Sequence, residues 1–275
     1  MLKALLYLNA DLASSIALRY ACHLAYVMDM EITPFHVTSD RSESRTPGTG
    51  WVRRTWENGL IQQAREEITG LIQTEKMICP ELKSPTIRLG KPENELLSEV
   101  SGRFYDLFII GLLHTFSARQ FHERIQSRFY RKSRCPILLV KNVIDLKRVA
   151  ILVDPVRGGE SEARTFNHLI GALPVEIDLL SCVFRKADNG RSERLIQTRI
   201  SEPETDRESV AINVLREKRL APDNIFRIEG TPDTIGARLA DYHMVVTSFP
   251  GETGPASPLI ECLSRVPSAM LFCRD

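Results

Sequence analysis

The chain has 275 residues, of which 43% are hydrophobic and 26% are charged, and its formal net charge is +1. This composition is typical of a globular protein, and the small net charge gives no global attraction to nucleic acid or to a membrane surface. The six cysteines form no Cys-x-x-Cys pair, and no run of 18 uncharged apolar residues occurs, so the sequence predicts neither a cysteine metal site nor a membrane span.

Strands and helices alternate along the first half of the chain. Short, continuously apolar runs predict strands that are covered on both faces, and runs with apolar residues three and four positions apart predict helices. The predicted strands are residues 2–8, 31–37, 86–89, 107–110 and 137–140, and the predicted helices are 13–28, 56–78, 93–103 and 119–132. This alternation predicts a parallel, doubly wound sheet, whose ligand crevice lies at the carboxyl ends of the strands.

The second half repeats the first. Four segments recur in the same order, and they pair residues 4–11 with 149–156, 87–92 with 228–232, 106–111 with 242–247, and 135–140 with 267–272. The strands predicted for this copy are residues 150–153, 176–183, 225–228, 243–246 and 269–272. An internal duplication predicts two α/β domains, residues 1–142 and 147–275, each with a five-stranded parallel sheet and joined by a linker of a few residues.

Each half resembles the universal stress protein family, and the whole chain resembles a tandem two-domain member. The resemblance rests on the Gly-x-Pro turn at residues 90–92, on residues 106–111 (Asp-Leu-Phe-Ile-Ile-Gly), and on residues 134–140 (Arg-Cys-Pro-Ile-Leu-Leu-Val). It implies an adenine nucleotide alpha hydrolase-like fold, a role in stress response and a cytoplasmic location. It also implies pairing of the two last strands, residues 137–140 and 269–272, as an intramolecular pseudo-dimer.

Members that bind nucleotide carry an Asp after the first strand and a loop of pattern Gly-x2-Gly-x9-Gly-Ser/Thr after the fourth. The first half keeps Gly111 but has Asn9 in place of the Asp, with His114, Arg124 and Ile125 at the other loop positions. These differences indicate a degenerate site. The side chains of His114, Arg119 and Arg124 could instead bind an anion, but a solvated basic helix face is the simpler interpretation.

The second half keeps more of the pattern. Asp154 matches the Asp, Gly230 matches the glycine of the third-strand turn, and Thr247 replaces the first loop glycine. Gly251 and Gly254 form a shortened glycine loop, and Ser257 opens the following helix, so the resemblance implies a site for ATP with the Mg²⁺ that accompanies it and no other metal. A tight turn is the alternative, because Glu252 would repel phosphate and Pro250 and Pro255 each remove an amide donor.

Other segments favour structural roles. Trp51 and Trp56, which lie among arginines, are expected to pack on the domain or on a partner, and stacking on nucleic acid is the alternative. Residues 185–208 are predicted to be a charged, solvated loop, and His23 and His36 to be core or edge histidines. A homodimer and an unidentified protein partner stay open.

No catalytic motif is present in the sequence. The sequence therefore predicts a regulatory or binding protein and not an enzyme. A ligand-free scaffold and a slow nucleotide-hydrolysing enzyme are the alternatives.

Overall fold

The computed structural model describes residues 1–39, 49–75, 79, 82–113, 118–153, 159–185, 194–249 and 257–274. The strands are β1 (Leu2–Tyr7), β2 (Met30–Thr38), β3 (Thr86–Leu89), β4 (Leu107–Gly111), β5 (Ile137–Val140), β6 (Arg148–Val153), β7 (Glu176–Phe184), β8 (Ile196–Ile200), β9 (Asn224–Gly230), β10 (Met244–Ser248) and β11 (Ala269–Cys273). The helices are α1 (Leu12–Val27), α2 (Trp51–Thr74), α3 (Pro92–Gly102), α4 (Ala118–Ile125), α5 (Arg128–Lys132), α6 (Glu160–Leu169), α7 (Asp206–Glu217), α8 (Pro232–Leu239) and α9 (Pro258–Arg265).

These strands form one continuous sheet in the order β3-β2-β1-β4-β5-β11-β10-β6-β7-β9-β8. Within the first half all neighbouring strands are parallel, and the order reverses between β1 and β4. The two halves join where β5 and β11 pair antiparallel, with Leu138 opposite Leu271. This is the pairing that the resemblance implied for the two last strands.

The fold class is confirmed, with one addition at the edge of the second half. Residues 196–200 were predicted to belong to a solvated loop, but they form β8, which pairs antiparallel with β9. The predicted loop also ends earlier than expected, because α7 begins at Asp206. In the described part of the second half there are therefore five parallel strands and a sixth, antiparallel edge strand.

Two helices of the first half differ from their predicted bounds by more than one residue. The helix predicted over residues 119–132 is divided into α4 and α5, with Ser127 before the second segment. Helix α2 begins at Trp51, five residues before the predicted start. Trp56 is half-buried as expected for a packing residue, whereas Trp51 is 76% exposed and does not pack on the domain.

The hydrophobic core lies on both faces of the sheet and crosses the junction between the halves. One layer contains Leu138 and Leu271, and the other contains Leu139 and Met270. Helix α4 of the first half contacts α9 of the second. The Nε2 of His168 on α6 lies within hydrogen-bond distance, 2.9 Å, of an Asp106 carboxylate oxygen. The two halves therefore share their core as well as a strand pairing.

Candidate functional site

A cleft of about 470 Å³ lies at the point where the strand order of the first half reverses. We call it the switch-point cleft, and its walls come from the loop after β1, the ends of β4 and α4, and the starts of α3 and α5. Its lining residues are Tyr7, Asn9, Asp11, Ala13, Ser14, Pro92, Glu93, Leu96, Ile110, Gly111, Leu112, Leu113, Arg124, Ser127, Phe129 and Tyr130. Crevices at such positions are the usual ligand sites of doubly wound sheets.

Hydrogen bonds fix the loop that follows β1. The Asp11 carboxylate accepts a bond from the Ser14 backbone N–H at 2.8 Å, which caps the first turn of α1. The Ser14 hydroxyl oxygen accepts a bond from the Asn9 N–H at 2.7 Å. The backbone that carries Asn9 is therefore held in place before any ligand arrives.

Gly111 allows this loop to approach the end of β4. A Cβ atom at this position would lie 1.9 Å from the Ala13 carbonyl oxygen. No side chain fits against a backbone atom at that distance. The glycine that the first half retains therefore serves close packing between β4 and α1.

Among the described residues, one cation and two carboxylates line the switch-point cleft, namely Arg124, Asp11 and Glu93. Burial raises the pKa of the Tyr7 phenol, and Asn9 and Arg124 act in the opposite direction. Burial also raises the pKa of Tyr130 to about 12, again opposed by Arg124. The half-buried Arg124 guanidinium therefore lies close to two protonated phenols, in a position to meet an anion in the cleft.

A second cleft of about 630 Å³ adjoins the first and shares Tyr7, Asn9, Asp11 and Pro92 with it. It extends over the end of β2 towards α2. His36 lines it, and the His36 Nδ1 lies 2.7 Å from the Leu8 carbonyl oxygen. Because a carbonyl only accepts, Nδ1 carries the proton in this arrangement, and His36 is an edge histidine as predicted.

Three of the five site residues predicted in the second half, Asp154, Gly251 and Gly254, lie outside the described residues. Gly230 ends β9 and is buried, and a Cβ atom there would lie 2.4 Å from the Thr234 hydroxyl oxygen. Ser257 occupies the N-cap position of α9, but its side chain makes no capping hydrogen bond. Neither Gly230 nor Ser257 lines any of the clefts described here.

A cleft of about 550 Å³ lies at the carboxyl ends of β6 and β7 in the second half. Its charged lining residues are Glu204, Asp206, Arg207, Glu208 and Arg227. The Glu208 carboxylate is buried and accepts hydrogen bonds from the Ser181 hydroxyl and from the Glu204 N–H. Among its described residues, three carboxylates face two cations, so carboxylates outnumber cations here as they do in the switch-point cleft.

Sequence reasoning missed Tyr7 and Asp11 as cleft residues. The spacing of Asp11 and Ser14 is a helix-capping pattern and could have identified Asp11. Tyr7 carried no such signal, because a tyrosine at the end of an apolar strand is equally typical of a core residue.

Within the described ranges, no group of three or more His, Cys, Asp or Glu side chains is placed to hold a metal ion. None of the helices in that part of the chain is long and apolar enough to cross a bilayer. The cytoplasmic location that the resemblance implies stays a prediction.

No family model and no curated protein matches the sequence. Three solved structures match almost the whole chain. A universal stress protein from Archaeoglobus fulgidus DSM 4304 has a TM-score of 0.66 and 13% identity, over 99% of this chain and 98% of that one. A functionally unknown protein from Pseudomonas aeruginosa PAO1 has a TM-score of 0.55 and 15% identity, over 99% and 92%.

A candidate universal stress protein from Pseudomonas aeruginosa UCBPP-PA14 has a TM-score of 0.52 and 16% identity, over 99% of this chain and 92% of that one. At such low sequence identities, the structural similarity establishes the fold alone. The chain therefore has the universal stress protein fold in its tandem, two-domain form.

Proposed function

We propose that this protein is a regulatory binding protein of the universal stress type, which binds an adenine nucleotide at the switch point of a half-sheet without turning it over. The observation that carries the proposal is the switch-point cleft, which combines a rigid polar loop at Asn9 with one cation, Arg124. Apolar side chains such as Leu96 and Leu112 supply a wall for a base.

The cleft fits this ligand through three features. Arg124 offers a charge-assisted contact to a phosphate, and the Asn9 amide offers both a donor and an acceptor to a base or ribose. The Asp11 carboxylate opposes a phosphate less than its charge suggests, because it already accepts the capping bond from Ser14.

The second half is the other location for the nucleotide. The sequence favours it through Asp154, Gly251, Gly254 and Ser257, and this location rests on the sequence pattern. The experiment must therefore distinguish the two halves.

Thermal unfolding with ATP and Mg²⁺ tests the proposal. ATP at about 100 times its Kd should stabilise the folded protein by about 2.7 kcal/mol and raise the Tm by roughly 5–10 °C. Arg124→Gln should reduce this shift if the first half binds, and Asp154→Asn should reduce it if the second half binds. Arg54→Gln is the matched control, because Arg54 is exposed on α2 and lines neither the switch-point cleft nor the cleft beside it.

Three results would contradict the proposal. An unchanged Tm at millimolar ATP, with no adenine nucleotide released from the purified protein on denaturation, would favour a ligand-free scaffold. A shift that neither Arg124→Gln nor Asp154→Asn reduces would place the nucleotide elsewhere. Phosphate release that exceeds that of Asp154→Ala would indicate a nucleotide-hydrolysing enzyme.

A further inference from the structure

A cleft of different character lies at the opposite end of the first half-sheet. It has a volume of about 790 Å³ and lies at the amino ends of β4 and β5, because Tyr105 precedes β4 and Cys135 precedes β5. We call it the basic cleft, and it is lined by Leu97, Val100, Ser101, Gly102, Arg103, Phe104, Tyr105, Arg128, Lys132, Arg134 and Cys135. It shares no residue with the switch-point cleft.

Four of these residues are cations, namely Arg103, Arg128, Lys132 and Arg134, and none is a carboxylate. All four are exposed. Since the whole chain has a formal net charge of only +1, the remainder of the chain carries a small net negative charge. The positive potential is therefore a local property of this cleft and would concentrate anions there.

Existing contacts neutralise only part of this charge. Arg103 contacts the buried Glu99 at 3.4 Å, and Glu99 is shared with Arg88 and with the Tyr105 hydroxyl. Arg128 donates to the neutral side chain of Asn94 at 3.1 Å. Lys132 and Arg134 make no ion pair with any carboxylate that the structure describes. The C-terminal end of α3 adds a partial negative charge, which Arg103 at the C-cap position meets.

The basic cleft also has an apolar component. The Phe104 side chain is 77% exposed among the four cations, and the half-buried Leu97 and Val100 lie beside it. Burial and the nearby Asp106 carboxylate raise the pKa of the Cys135 thiol to about 12, which disfavours the nucleophilic thiolate. The residues of this cleft are therefore suited to binding and not to thiol chemistry.

We propose that the basic cleft binds a small organic phosphate that carries at least two negative charges and an aromatic ring. The charges contact Lys132 and Arg134, and the ring covers Phe104. A concave volume of this size is typical of small-molecule sites, which favours such a ligand over a nucleic acid strand. The site is separate from the proposed nucleotide site and does not depend on it.

Fluorescence titration with 1-naphthyl phosphate tests the proposal. We expect saturable binding whose affinity falls with added salt. The double variant Lys132→Gln/Arg134→Gln should lower the affinity by about tenfold or more. The control is Arg216→Gln/Lys218→Gln, which removes two exposed charges from the second half and should leave binding unchanged. Arg124→Gln should also leave it unchanged, so that failure of the two proposals can be distinguished.

Two further measurements distinguish the contribution of the ligand's charges from that of its aromatic ring. Phe104→Ala should lower the affinity for 1-naphthyl phosphate by about fivefold. It should change the affinity for inorganic pyrophosphate by no more than about twofold, because pyrophosphate has no ring to place on Phe104. Neutral 1-naphthol should bind far more weakly than its phosphate.

The proposal would be overturned if 1-naphthyl phosphate showed no saturable binding at about 1 mM. It would equally be overturned if the control Arg216→Gln/Lys218→Gln weakened binding as much as Lys132→Gln/Arg134→Gln does. Displacement of the probe by a single-stranded oligothymidylate at a far lower concentration than by pyrophosphate would instead assign the cleft to nucleic acid.

Discussion

Lys141 is a buried amine at the junction between the two halves. It follows β5, is 6% exposed, and its Nζ donates to the carbonyl oxygens of Val266, Leu263 and Ser264 at 2.6, 3.3 and 3.5 Å. These carbonyls lie at the C-terminal end of α9, where the helix dipole favours a cation. Burial nevertheless lowers the pKa of Lys141 to about 7.

This pKa predicts a pH-dependent stability. An unfolded lysine keeps its proton up to a pH of about 10.4, so between about 7 and 10 the unfolded state binds more protons and the free energy of unfolding rises with pH. Lys141→Met should abolish that part of the rise. Urea unfolding of both proteins at several pH values measures it, and a difference between them that is independent of pH would contradict the pKa shift.

We expect an added methyl group to change the free energy of unfolding differently at three glycines. Gly111→Ala should destabilise the protein by about 2–4 kcal/mol, because its Cβ would meet a backbone oxygen at 1.9 Å. Gly230→Ala should cost about 1 kcal/mol, since the Thr234 side chain can rotate away. Gly70→Ala, in α2 with nothing within 4 Å, should stabilise by roughly 0.5–1 kcal/mol. Denaturant unfolding measures all three, and equal effects would show that packing does not decide them.

Helix α7 begins with a reciprocal capping box. The Thr205 hydroxyl oxygen accepts from the Glu208 N–H at 3.2 Å, and the Glu208 carboxylate accepts from the Thr205 N–H at 3.2 Å. Thr205→Ala should therefore lower the free energy of unfolding by about 1 kcal/mol. Ser209→Ala, one turn later, should change it by only a few tenths. Equal losses from the two variants in urea unfolding would argue against the cap.

Most of the elements could be predicted, because buried parallel strands leave continuous apolar runs and core-facing helices leave periodic ones. Strand β8 could not be predicted this way, since four of its five residues are exposed and pair only with β9. Its alternating Ile196, Thr198 and Ile200 were a β-propensity signal within a charged segment. The switch-point cleft followed from the strand order, whereas its lining by Tyr7 and Arg124 depends on the loop conformation and on the division between α4 and α5.

At the scale of the whole molecule, the shared sheet predicts that the two halves unfold together. Both tryptophans lie on α2 in the first half, so their fluorescence reports that half, while far-ultraviolet circular dichroism reports the whole chain. The two signals should give the same urea midpoint, since both core layers continue across β5 and β11. Trp51→Phe would leave the half-buried Trp56 as the sole reporter. Separate midpoints would show that the halves are independent folding units.

The antiparallel contact of β5 with β11 has a consequence for access to the protein. Ile137 at the start of β5 lies opposite Phe272 near the end of β11, so the strands of the two halves point in opposite directions. The entrance to the switch-point cleft and the corresponding edge of the second half therefore face opposite poles of the sheet. A partner protein bound at one pole would therefore leave the other pole uncovered.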